Sequence, residues 1–125
     1  MKIAVSIMSA TAMFAFSAAA LAHLKVVAST PTAAATVAAP RAIKLSFNEK
    51  MLPQMTGLQL TMTSMPGMPD QPMKIAGFKT SVGPDGKTLV ATMQKPLATG
   101  SYRVDWHAVA ADTHRVTGTF AFKVR

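Results

Sequence analysis

YRVDWHAVAADTHRVTGTFAFK, residues 102–123, alternates, bends and alternates again. On its first arm Tyr102, Val104, Trp106 and Ala108 interleave with Arg103, Asp105 and His107, the period of two that belongs to a half-buried strand. On the second arm Val116, Phe120 and Phe122, continued by Val124, share one parity, and Thr117, Thr119 and Lys123 share the other. The spacing predicts two strands joined by a short bend that carries Asp112-Thr113-His114. In extended backbone, residues two apart point to the same side, so Asp112 and His114 are expected together at the rim of a sheet. A carboxylate beside an imidazole is half of a metal site.

The chain outward from this stretch keeps the same grammar. Pro96 to Gly100 is a turn, and Gly83-Pro84-Asp85-Gly86 is a strong hairpin signal between strands expected over Lys74–Thr80 and Thr88–Thr92. LQLTM, residues 58–62, alternates, as does Ile43-Lys44-Leu45-Ser46-Phe47-Asn48. Leu24 to Ala28 is a short apolar segment that Ser29-Thr30-Pro31 breaks. The alanines of residues 32–40 suggest a helix, but Thr36 and Val37 are β-branched and Pro40 closes the segment, so a loop or loose edge is expected. About seven short antiparallel strands with no helix predict a small all-β sandwich or barrel in one domain.

Residues 1–22 stand apart. Lys2 precedes an uncharged apolar and small-residue run that closes with Ala20-Leu21-Ala22, the pattern of a secretory signal cleaved after Ala22. Cleavage would leave residues 23–125 as a single β-domain starting at His23, with a charge of +7 because only Lys2 is lost from the +8 of the whole chain. The lysines from Lys25 to Lys95 stand singly, with no basic run and no aromatic platform, so nucleic acid is not an expected partner. There is no cysteine, so any metal must be held by nitrogen, oxygen or thioether sulfur. No Cys nucleophile, P-loop or paired catalytic carboxylates appear, and no Ser-His-carboxylate order.

Two constellations carry chemistry. The first is His23, Asp112 and His114, with Glu49 as the fourth candidate; Glu49 continues the parity of Ile43, Leu45 and Phe47 where that strand ends. An N-terminal histidine chelates through its α-amine and its ring together, and adding an imidazole and a carboxylate gives a tetragonal N/O set suited to Cu(II). The second is methionine. Seven of the ten methionines lie after residue 22, and Met62, Met65, Met68 and Met73 fall within twelve residues. TSMPGMPDQPM, residues 63–73, has three prolines and a glycine, so it forms neither a regular helix nor a central strand. Thioethers in such a loop have little core to fill, and they select Cu(I). Met51, Met55 and Met93 fit ordinary packing. Trp106 is expected in the core, and His107 on the opposite face.

These motifs together resemble the CopC family of periplasmic copper-binding proteins. The resemblance covers residues 23–125. It rests on His23, Ser29-Thr30-Pro31, Pro40 with Ile43 to Glu49, the M-x-x-M-x-x-M-x-x-x-x-M loop of residues 62–73, Val104-Asp105-Trp106, Asp112-Thr113-His114 and Gly118. It implies a cupredoxin- or immunoglobulin-like Greek-key fold, no enzyme activity, and a monomer whose partners are copper ions and an inner-membrane transporter of the CopD type or other copper resistance proteins. It further implies a Cu(II) site at His23, Asp112 and His114, with Glu49 nearby and variably assigned to the site, and a separate Cu(I) site at Met62, Met65, Met68 and Met73. One departure stands out: family members with a full Cu(I) site carry a histidine within the methionine loop where this chain has Asp70. Two other classes remain open on the residues alone. One is a copper monooxygenase built on a histidine brace; the other is an adhesive β-domain whose methionine loop contacts a protein.

Overall fold

The computed structural model describes residues 23–68 and 71–125, and the expected leader over residues 1–22 lies outside them. Nine strands form, in the order β1 (Val26–Thr30), β2 (Thr36–Val37), β3 (Ala42–Phe47), β4 (Gly57–Ser64), β5 (Met73–Ile75), β6 (Lys79–Val82), β7 (Thr88–Thr92), β8 (Gly100–Val109) and β9 (Arg115–Val124). One 3-10 turn, Pro53–Met55, is the helical element among the described residues. The strands make two sheets, β1-β3-β7-β6 and β2-β9-β8-β4-β5. Connections β3→β4, β5→β6 and β7→β8 each pass from one sheet to the other, so the fold is a sandwich with crossed, Greek-key-like wiring.

The hairpin read from residues 102–123 is the spine of the larger sheet. β8 and β9 pair antiparallel over ten residues each, from Gly100↔Val124 to Val109↔Arg115. Its even positions supply the core: Tyr102, Val104, Ala108, Phe122 and Val124 are buried. They meet Ile43, Leu45, Leu89 and Ala91 from the facing sheet, as alternation predicts. Tyr102 and Phe122 stack with ring centroids 5.4 Å apart. The Tyr102 hydroxyl donates to the Ala98 carbonyl four residues upstream, a tie that fixes how the chain enters β8. Burial raises the pKa of that hydroxyl, so it remains a donor.

Several expectations are corrected. Among the described residues there are nine strands rather than about seven, and β2 pairs with β9 in parallel. Residues 74–80 are not one strand. Ala76-Gly77-Phe78 interrupts them, with Gly77 at φ +85°, where the chain leaves one sheet for the other. β1 runs on through Ser29 and Thr30, which pair with Leu45 and Lys44, because the break comes only at Pro31. Residues 32–40 are the loose edge expected, with only Thr36–Val37 in a ladder. Trp106 is half-buried, its ring edge-on to Phe47 with centroids 5.2 Å apart.

Candidate metal centre

Asp112 and His114 come together, though not by the extended geometry that parity predicts. The segment after β8 turns: Thr113 N–H donates to the Ala110 carbonyl at 2.9 Å, and Thr113 itself sits at φ +67°. The Asp112 carboxylate then folds back over the turn. Its Oδ1 accepts the His114 backbone N–H at 3.1 Å, and its Oδ2 lies 3.3 Å from His114 Nδ1. Asx geometry of this kind is why Asp suits a bend. Holding Nδ1 against a carboxylate leaves Nε2, on the far side of the ring, free to meet a metal. Both side chains are open to solvent, at 44% exposure for Asp112 and 69% for His114.

His23 reaches the same end of the sandwich from another direction. Leu24 is buried in the core and anchors the segment, while His23 itself is exposed. Asn48, just past β3, clamps the segment: its Nδ2 donates to the His23 carbonyl at 3.0 Å, and its Oδ1 accepts the Lys25 N–H at 2.9 Å. The Asn48 N–H also donates to the Lys25 carbonyl. Glu49 follows in the bend, half-buried. The chain then crosses to the other sheet, where Met51 bridges to Ala110 and Leu52 N–H donates to the Val109 carbonyl at 2.8 Å. So His23, Asn48-Glu49 and the Ala110–His114 turn are linked by a continuous run of backbone contacts. Among the described residues, however, no three His, Asp or Glu side chains are gathered closely enough to hold an ion. Asn48 is the residue that sequence reasoning passed over. Its signal was present: an amide at the end of an alternating strand offers both a donor and an acceptor to a neighbouring backbone.

The four methionines divide. Met62 on β4 pairs directly with Met73 on β5, so their side chains share a face. Met62 is core, at 3% exposure, and Met73 is 52% exposed. Both line a cleft of about 500 Å³ together with Met93, Ile75, Phe78 and Leu97. Met65 and Met68 lie in the loop beyond, joined by a backbone bridge in which Met68 N–H donates to the Met65 carbonyl. Met68 is exposed, and Met65 is turned toward a separate hollow beside Lys123 and Val124. Asp70 lies outside the described residues.

The two constellations occupy opposite ends of β8. Met62 and Ser64 pair with Tyr102 and Ser101 at its start, and the Ala110–His114 turn follows Val109 at its finish. Ten residues at roughly 3.3 Å each separate them by about 30 Å.

Residues 26–125 match the CopC domain family. The chain belongs to the CopC family. It is 52% identical over 109 residues to copper resistance protein C of Xanthomonas campestris pv. juglandis, which covers 87% of this chain and 85% of that protein. The crystal structure of PcoC, a methionine-rich copper resistance protein from Escherichia coli, superposes with a TM-score of 0.75 at 42% identity, covering 83% of this chain and all of that one. CopC from Methylosinus trichosporium OB3b superposes with a TM-score of 0.65 at 27% identity, over 82% of this chain and 93% of that one. This CopC domain also explains Gly118, part of the motif set above. A Cβ there would lie 2.3 Å from Trp106 Cζ2, so the indole lies flat over the position only because it has no side chain. On the other face His107, half-buried, packs 3.3 Å from where a Cβ of Gly57 would stand.

Proposed function

We propose that this chain is a periplasmic copper-binding protein that carries or buffers copper for resistance or homeostasis, binding metal without turning over a substrate. Residues 1–22 are removed as a signal, and the new terminus at His23 supplies an amine and an imidazole. His114 through Nε2 and Asp112 through its carboxylate complete a nitrogen- and oxygen-rich set for Cu(II), with Glu49 beside it. Cu(I) is taken separately by the thioethers of Met62, Met65, Met68 and Met73. At about 30 Å apart, two such sites load independently, so one chain serves both oxidation states. Passage of copper to a CopD-type membrane transporter or to other resistance proteins belongs to the same reading.

The observation that carries it is the clamp between Asn48 and the His23–Lys25 backbone, which ties the start of the mature domain to the same end as the Asp112–His114 turn. Membership of a family whose relatives are named for copper resistance supports the choice of metal. The high exposure of His114 fits a site that must release its ion as well as bind it.

The test is a Cu(II) titration followed by electron paramagnetic resonance on two preparations, one beginning at His23 and one carrying an extra residue before it. A tight one-to-one type 2 spectrum with nitrogen hyperfine structure in the first alone, lost again in His114→Ala, is the expected result. Equal binding by both preparations, or an unchanged affinity in His114→Ala, overturns the ligand set.

A further inference from the structure

Met93 has no part in the methionine loop. It follows β7 on the opposite sheet, twenty residues beyond Met73, and its N–H donates to the Arg41 carbonyl. Yet the segment after β5 and the segment after β7 both cross between the sheets at this end, and they form the two walls of the cleft that Met62 and Met73 line. Met93 stands on the second wall, half-buried, packed against the core on one side and open to the cleft on the other. The cleft thus collects three thioethers from three strands or strand ends, and among the described residues no His, Asp or Glu lines it. Ile75, Phe78 and Leu97 add apolar wall beside the sulfurs, and Gln94 stands with two lysines on the polar side.

We infer that Met93 is a further Cu(I) ligand, and that Met62, Met73 and Met93 form a three-sulfur site inside the cleft. Resting on the Cu(I) half of the reading above, this narrows its holding set to the sulfurs of the cleft, with Met65 and Met68 outside it. Neutral thioethers select a soft monovalent ion over Cu(II) or the harder divalent metals. An apolar lining withholds competing water, and Met93 approaches from a rigid strand end rather than from a proline-broken loop. Asp70 in the loop of this chain offers only a hard carboxylate, and a third sulfur from the far wall supplies a soft donor instead. Lys74 and Lys95 also line the cleft. Their long stems let the ammonium groups swing out to water, away from a bound cation.

The test uses the processed chain with its methionine methyl groups labelled with carbon-13, under reducing conditions, titrated with Cu(I). Met62, Met73 and Met93 methyl resonances are expected to move together at the first equivalent, while Met51 and Met55, remote in sequence and structure, serve as fixed references. Met93→Leu keeps side-chain volume, and it is expected to weaken Cu(I) binding about 10- to 100-fold, the range for loss of one supporting metal contact. Cu(II) affinity at the other end should not change. If Met93 remains with the reference methyls and Met93→Leu binds Cu(I) as wild type does, the inference falls while the Cu(I) reading stands. If no methionine methyl moves and wild type holds no Cu(I), both fall.

Discussion

Asn48→Ala should weaken Cu(II) binding without unfolding the protein. The asparagine side chain makes two hydrogen bonds to the segment that carries His23, at 3.0 Å to the His23 carbonyl and 2.9 Å from the Lys25 N–H. Both are exposed, so each is worth roughly 0.5–1 kcal/mol, the low end of the usual range. Their loss frees His23, while the backbone bond from residue 48 to the Lys25 carbonyl remains and Leu24 stays buried in the core. The cost of re-ordering the terminus is then drawn from the metal's binding energy, about 1–2 kcal/mol in all, or a weakening of about 5- to 30-fold. Competition against a chelator of known affinity, on protein beginning at His23, reads this directly. A melting curve run alongside should shift by roughly 5–15 °C, the amount that about 1–2 kcal/mol represents in a domain of about a hundred residues. A Cu(II) affinity within twofold of wild type would show that the clamp does not position the terminus. A collapse of the melting temperature would show that Asn48 braces the fold instead.

Gly118→Ala pushes a methyl group to within 2.3 Å of the Trp106 ring, and the backbone pairing of Gly118 with Trp106 on β8 holds the strand against retreat. The indole must tilt off Phe47, with a loss of about 1–3 kcal/mol in urea unfolding and a shifted Trp106 emission maximum; wild-type emission and stability would refute the packing account. Asp85 caps the β6–β7 hairpin, accepting the N–H groups of Lys87 and Thr88 and the Thr88 hydroxyl. The hydrogen bond from Lys87 and those from Thr88 hold its carboxyl below the ordinary 3.8. A group depressed in the folded state stabilises it above its unfolded pKa, and that contribution fades as pH falls from about 4 through the lower folded value. Asp85→Asn should therefore flatten the fall in urea midpoint below about pH 4, and an unchanged acid limb would contradict it.

Alternation alone settles much of this fold. Ile43, Leu45, Phe47, Tyr102, Val104 and Phe122 sit in the core because a strand sends every second side chain to one face, a rule that needs no knowledge of the partner. The Gly83–Gly86 turn was legible because it is built from its own residues. The Asp112–His114 pairing was legible in outcome but not in cause. Two residues apart they were bound to be neighbours, yet it is the turn at Thr113, not an extended strand, that sets the carboxylate against Nδ1. Sequence also carried the methionine spacing and the family motifs, since both are written in consecutive residues. Contacts between residues far apart in the chain were decided only by the tertiary structure. Asn48 meets His23 across 25 residues because β1 returns antiparallel to β3. Met93 joins Met62 and Met73 because two crossovers between the sheets meet at one end. No periodicity encodes such a meeting; it depends on which strands pair and where the chain changes sheets.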